Sequence, residues 1–176
     1  MVEGKENRIF FRIEKIISGG QTGVDRAALD VALELGISCG GWCPKGRKAE
    51  DGPIDIRYPL RETASANYSV RTGKNVRESD GTLVLTGLGR PSAGTALTIK
   101  FAQKHKKPYL VRDPFVKKDL GTIRMWLEVN GIRVLNVAGP RESEIPGIHE
   151  KVFEFLKELF MTSEAGQEQH TPPQQT

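Results

Sequence analysis

The sequence has few cysteines and no long apolar run, and each shortage excludes a class of protein. Only two cysteines, Cys39 and Cys43, occur in 176 residues, too few for a disulfide framework or a four-ligand zinc site. No segment approaches the roughly 18 consecutive apolar residues of a membrane span. The first 15 residues are too polar for a secretory signal. We therefore expect a cytoplasmic protein with no membrane partner and no metal ligands.

The sequence also has no large excess of charge of either sign. The 26 basic and 22 acidic residues leave a formal charge of +4, and 38% of the residues are hydrophobic. These proportions are typical of a globular domain. The small positive excess favours an anionic ligand, but it is too scattered to indicate nucleic acid by itself.

Helix and strand patterns alternate along most of the chain. Apolar residues recur at helical spacing from Val24 to Leu35, and the run GTLVLT at 81–86 is typical of a buried strand. This alternation predicts an α/β fold, a Rossmann-like three-layer αβα sandwich with a mostly parallel sheet. We assign residues 1–14 to an N-terminal extension and residues 15–161 to one Rossmann-like ligand-binding domain. Residues 162–176, rich in Gln, Glu and Pro, form a predicted disordered tail.

Three glycine-containing loops each follow a predicted strand. They are loop 1 (residues 18–23), loop 2 (residues 87–95) and loop 3 (residues 139–143). In open α/β sheets, ligands bind outside the carboxyl ends of the strands. We therefore expect the three loops to form one pocket.

Loop 1 has the composition of an anion-binding turn. Gly19, Gly20 and Gly23 allow the backbone to turn tightly and approach a ligand, and the N–H groups at a helix start favour an anion. A tight turn capped by Thr22 explains the sequence less completely, because it does not account for three glycines. Asp25 adds negative charge, so it either caps the helix or contacts a hydroxyl or ring of the ligand.

Loop 2 offers small donors at the start of the next helix. Ser92, Gly94 and Thr95 supply hydroxyl and amide groups, and Arg90 adds a planar charged donor. The loop is neither a Walker A loop nor a dinucleotide fingerprint, because it lacks the required Lys and the third glycine.

The long connection from 41 to 59 carries an aromatic residue and several cations. Trp42 could stack on a ring and Lys45 could hold a phosphate, or the segment could be a solvated surface loop. None of the histidines has a partner at a catalytic spacing. The candidate ligand-binding residues are therefore Gly19, Gly20, Gln21, Thr22, Gly23, Asp25, Arg26, Lys45, Arg90, Ser92, Gly94, Thr95 and Arg141.

Five segments, in a fixed order, carry a family resemblance. They are SGGQTGVDRAALD (18–30), GWCPKGRKAEDG (41–52), NVRESDGTLVL (75–85), SAGTALT (92–98) and NVAGPRES (136–143). Together they resemble the putative molybdenum carrier family, over about residues 15–160. The resemblance implies a circularly permuted relative of the Lonely-guy and lysine-decarboxylase-like proteins. It also implies a pocket for a phosphate-bearing or nucleotide-like ligand, and a homo-oligomer.

One departure from the related phosphoribohydrolases bears on activity. Their motif Gly-Gly-x-Gly-Thr-x-x-Glu carries a catalytic Glu, and Thr98 occupies that position here. A hydroxyl cannot replace a carboxylate base. We therefore favour a binding or carrier protein for a phosphorylated small molecule, either the molybdenum cofactor or a nucleotide-derived ligand. The alternative is a nucleotide-cleaving enzyme in which Asp25 supplies the acid. Nucleic-acid binding is a third and weaker hypothesis, because few aromatic residues lie near the basic runs.

Overall fold

The structure is a computed structural model, and it describes residues 12–87, 89, 91–116 and 120–161. Arg90, most of the predicted N-terminal extension and the predicted tail lie outside the described residues. The strands are β1 (Lys15–Ile17), β2 (Ser38–Gly40), β3 (Trp42–Cys43), β4 (Lys48–Ala49), β5 (Gly52–Pro53), β6 (Arg61–Glu62), β7 (Gly81–Leu85), β8 (Tyr109–Arg112) and β9 (Val134–Ala138). The helices are α1 (Val24–Glu34), α2 (Tyr68–Glu78), α3 (Ala93–Lys104), α4 (Leu120–Val129) and α5 (Ile148–Phe160).

Five strands form one parallel sheet in the order β2-β1-β9-β7-β8. The strand that comes last in the chain, β9, therefore lies in the centre of the sheet. All five residues of β7 are buried, as expected for a strand covered on both faces. This arrangement confirms the predicted α/β fold with a parallel sheet.

Helices cover both faces of the sheet. Helix α1 packs against α5, and α2 packs against α3. Helix α5 buries Val152, Phe155, Leu156 and Leu159, an i, i+3, i+4, i+7 stripe of the kind that fixes a surface helix on a core. These side chains belong to one cluster with residues of α1, α4 and the central strands. The result is the expected three-layer sandwich. No helix in the described part of the chain has the length and apolar character needed to cross a bilayer.

The long connection between β2 and α2 is ordered by one arginine. The guanidinium of Arg47 donates hydrogen bonds of 2.8–3.1 Å to the carbonyls of Ile54, Asp55, Tyr58 and Leu60. The segment also has a small apolar core of its own, which includes Cys43, Ile54, Tyr58 and Leu60. Arg47 is therefore a structural residue of this segment.

The parallel sheet places the three loops at one edge. Because β1, β7 and β9 run in the same direction in one sheet, loops 1, 2 and 3 all leave the carboxyl edge. Strands β7 and β9 are neighbours in the sheet, but the helices that follow them, α3 and α5, pack against different helices, α2 and α1. The chain therefore diverges between these two strands. A crevice at such a point is the usual ligand position in open α/β sheets.

Candidate functional site

A narrow inner pocket lies at the carboxyl edge, with room for about one water-sized group. The sheet and loop 1 supply one side, and helices α2 and α3 supply the other. Two of its residues, Gly19 and Asp25, were predicted from the sequence to bind a ligand. Its full lining is Gly19, Asp25, Arg71, Thr72, Asn75, Thr98, Asn136, Val137 and Ala138.

A buried ion pair closes this pocket. Arg71 Nη1 lies 2.8 Å from Asp25 Oδ2, and the side chains are 14% and 4% exposed. The backbone N–H groups of Gly19 and Gln21 also donate to the Asp25 carboxylate. Burial raises the pKa of Asp25 above its ordinary value, although Arg71 and the backbone donors act in the opposite direction. The amides of Gly19 and Gln21, which the sequence suggested for a ligand anion, thus donate to a carboxylate of the protein itself.

Each loop-1 glycine has a separate packing reason. A Cβ on Gly19 would lie 1.6 Å from Arg71 Nη1, and a Cβ on Gly23 would lie 2.5 Å from the carbonyl oxygen of Pro140. Gly20 has a φ of +76° and faces Leu60, a combination that only glycine adopts without strain. Gly23, not Thr22, is the N-cap of α1, so the side-chain cap considered for Thr22 was wrong.

Three cations surround the ring of Tyr68, and one of them, Arg71, also lines the inner pocket. Lys48 Nζ lies 5.5 Å from the centroid of the Tyr68 ring, and the guanidinium carbons of Arg71 and Arg141 each lie 5.8 Å from it. These four residues are called the Tyr68 cluster below. They come from β4, α2 and loop 3, so the tertiary fold assembles the cluster. Arg141 is among the ligand-binding residues predicted from the sequence.

A wider cleft of about 610 Å³ lies beside loops 1 and 3. Arg26 lines it, forms an ion pair with Asp51 and donates to the carbonyl of Gly20 at 3.1 Å. Because Arg26 is already paired, it offers less charge to a ligand than the sequence indicates. The full lining is Thr22, Gly23, Arg26, Glu50, Asp51, Glu142, Ser143, Pro146 and His149.

The remaining predicted residues lie outside both lining sets. The backbone N–H of Lys45 donates to the carbonyl of Ser65, and its side chain is exposed. The Ser92 hydroxyl caps α3 by accepting from the backbone N–H of Thr95 at 3.4 Å. Gly94 is exposed on α3. Gln21 is buried, and its Oε1 accepts from the backbone N–H of Glu50 at 2.9 Å.

Sequence reasoning missed a partner for His149. Its Nε2 lies 2.8 Å from Asp30 Oδ2, and the hydroxyl of Tyr58 donates to Asp30 Oδ1 at 2.6 Å. Asp30 and His149 are 119 residues apart in the chain, so no local spacing could have indicated the pair. This network ties α1 to α5 and to the long connection.

The parallel sandwich and its polar pocket at the carboxyl edge define a Rossmann-like α/β protein with a crevice at the strand crossover. More narrowly, the chain belongs to the circularly permutated YpsA SLOG family, whose model matches residues 16–160. It is also similar to the crystal structure of a putative molybdenum carrier protein from Syntrophus aciditrophicus SB. The two chains are 44% identical with a TM-score of 0.81, over 85% of this chain and 96% of that one. The resemblance seen in the sequence is thus confirmed. No curated protein matches the chain.

Proposed function

We propose that this protein binds and carries a phosphorylated small molecule at the carboxyl edge of its sheet. The observation that carries the proposal is the Tyr68 cluster, in which three cations surround one ring. Of these, Arg71 is paired with Asp25, and Arg141 has one distant partner, Glu50 at 3.9 Å. Lys48 has no ion-pair partner among the described residues. Such a concentration of cations is complementary to a phosphate.

The inner pocket has room for about one water-sized group of a ligand, so the body of a ligand larger than phosphate would lie outside this pocket. The lining of the inner pocket includes neutral polar groups, among them Thr72, Thr98 and Asn136, beside the ion pair of Asp25 and Arg71. Those groups can hydrogen-bond one hydroxyl or amino group of the ligand, while its phosphate would lie against the Tyr68 cluster. The molybdenum cofactor and nucleotide-derived ligands share this chemistry, and the similar solved structure is named a putative molybdenum carrier protein. Donors of loop 2, including Arg90, and the cation of Lys45 belong to the same proposal, as does a homo-oligomeric state.

The test is the removal of charge from the Tyr68 cluster. Lys48→Gln and Arg141→Gln are each expected to weaken binding of adenosine monophosphate about tenfold, because each removes one cation within a few ångströms of the phosphate. Isothermal titration calorimetry at fixed salt measures the effect. Lys104→Gln is the matched control, because Lys104 ends α3 and therefore lies toward the opposite edge of the sheet.

Two further measurements distinguish between the candidate ligands. Native mass spectrometry of the purified protein is expected to show a co-purified phosphorylated species. Inorganic phosphate and molybdate are titrated beside the nucleotide, so that a simple oxyanion site is distinguished from a larger one. Affinities that are equal in the wild type and in both cluster variants would contradict the proposal.

One observation favours a second candidate, a nucleotide-cleaving enzyme. Asp25 and Thr98 line the same inner pocket, so an acid from α1 lies beside the position where the phosphoribohydrolases have their Glu. Burial raises the pKa of Asp25, which suits a proton donor. Release of free base from nucleoside monophosphates, lost in Asp25→Asn, would support this candidate. Release that survives the substitution would remove Asp25 from that role.

A further inference from the structure

Donors from two different loops converge on one carboxylate in the wide cleft. The hydroxyl of Thr22 in loop 1 and the hydroxyl of Ser143 in loop 3 both donate to the carboxylate of Glu50. The backbone N–H of Ser143 donates to Glu50 Oε1 at 3.2 Å, and Arg141 Nη1 lies 3.9 Å from Glu50 Oε2. Two hydroxyls, one amide and one guanidinium thus surround a single anionic group. Although burial opposes it, the hydrogen bonds from Ser143 and Thr22 lower the pKa of Glu50, so this group is ionised at neutral pH.

The carboxylate comes from a different part of the fold from its donors. Glu50 follows β4 in the long connection, whereas Thr22 and Ser143 belong to loops at the carboxyl edge. The Glu50 side chain is 21% exposed and lines a cleft of about 610 Å³. This volume lies within the range of small-molecule sites. The anionic group is therefore reachable from solvent, next to space that a ligand can enter.

One donor, the Thr22 hydroxyl, and the backbones of both loops are held in place without Glu50. The Thr22 hydroxyl accepts from the backbone N–H of Glu142 at 3.2 Å, and the backbone N–H of Val24 donates to the Pro140 carbonyl at 3.2 Å. Loops 1 and 3 are therefore joined to each other directly. Thr22 and the backbone of Ser143 therefore keep their positions when the acceptor is exchanged.

We propose that Thr22, Ser143 and Arg141 form a second oxyanion subsite, which the carboxylate of Glu50 occupies and which a phosphate or comparable oxyanion takes by displacing it. The subsite would accept a second anionic group of the carried ligand or a free inorganic anion. This inference rests on the proposed function, since Arg141 also belongs to the Tyr68 cluster. Glu50 then acts as an internal competitor. When a ligand displaces it, Arg141 is free to contact that ligand.

Removal of the competing charge tests the subsite. Glu50→Gln is expected to bind inorganic phosphate about tenfold more tightly than the wild type, because a negative charge next to the bound anion is gone. Isothermal titration calorimetry measures both proteins, and circular dichroism checks that the variant is folded. Glu34→Gln is the matched control, because it makes the same change of net charge at the other end of α1. The double variant Glu50→Gln with Ser143→Ala is expected to lose most of the gain.

A measurement on the wild type tests the subsite whether or not the Glu50→Gln variant folds. Saturating inorganic phosphate is expected to speed hydrogen exchange in residues 48–53, because displaced Glu50 no longer ties β4 to loops 1 and 3. Pyrophosphate offers two anionic groups and distinguishes one subsite from two. If there are two, Glu50→Gln is expected to increase the affinity for pyrophosphate more than the affinity for inorganic phosphate. Equal phosphate affinity in the wild type and Glu50→Gln, or an equal gain in Glu34→Gln, would overturn the subsite. Weaker nucleotide binding in Lys48→Gln, which changes a residue outside the subsite, would then still support the proposed function.

Discussion

Arg71→Met is expected to lower the free energy of unfolding by about 3–5 kcal/mol at neutral pH, the usual effect of removing one partner of a buried ion pair. Asp25 is 3% exposed, so its charge would remain buried with only the amide donors of loop 1. Methionine keeps most of the volume of the arginine stem, which limits the effect of lost packing. Urea-induced unfolding, followed by circular dichroism, measures the difference.

The loss in Arg71→Met should depend on pH in a definite direction. The pKa of Asp25 is raised in the folded protein, so folding favours its protonated form, and stability linked to this group falls as the pH rises through that pKa. Without Arg71 the pKa rises further. The deficit of the variant is therefore expected to be larger at pH 7 than at pH 5. An equal deficit at both values would contradict a role for the Asp25 charge.

A double variant separates charge from packing. Asp25→Asn combined with Arg71→Met removes both partners, so no buried charge is left unpaired. Its loss of stability is expected to be smaller than the sum of the two single losses, because residues in one ion pair are not energetically independent. Additive losses would mean that Arg71 acts mainly by packing against Gly19.

The fold could be predicted from the sequence because its signals are local. The apolar spacing in α1 and α5 and the continuous apolar run of β7 each identify an element without knowledge of the rest. Parallel strands place their carboxyl ends together, so the common edge of loops 1, 2 and 3 also followed. The central position of β9 could not be derived in this way, because strand order depends on contacts between distant segments.

The site was less predictable because its charges are paired across long sequence separations. Asp25 and Arg71 are 46 residues apart, and α2, which carries Arg71, is a polar surface helix by composition. The glycines of loop 1 suggested close approach to a ligand, whereas Gly19 is small because the Arg71 guanidinium lies against it. The cation-rich segment after Trp42 was singled out only as a group. Its pattern could not show that Lys48 faces Tyr68 while Arg47 faces carbonyls.

Arg47→Ala is expected to lower the stability of the long connection by about 2–6 kcal/mol, since hydrogen bonds to four backbone carbonyls are lost at about 0.5–1.5 kcal/mol each. Those carbonyls belong to residues 54, 55, 58 and 60, where few strand or helix bonds replace them. Faster hydrogen exchange over residues 47–60, together with a lower urea midpoint, measures the effect. Arg47→Lys should recover only a part of it, because one ammonium group cannot reproduce the planar fork of a guanidinium.

Arg47→Ala should also weaken nucleotide binding, although Arg47 does not line the inner pocket or the wide cleft. The β4 segment that follows it carries Lys48 and precedes Glu50, so a loosened connection misplaces both the cation of the Tyr68 cluster and the internal competitor. Arg57→Ala is the matched control in the same segment, because the Arg57 side chain is 61% exposed and exposed ion pairs contribute little. If Arg57→Ala loosened residues 47–60 as much as Arg47→Ala, the carbonyl contacts of Arg47 would not be what orders this connection.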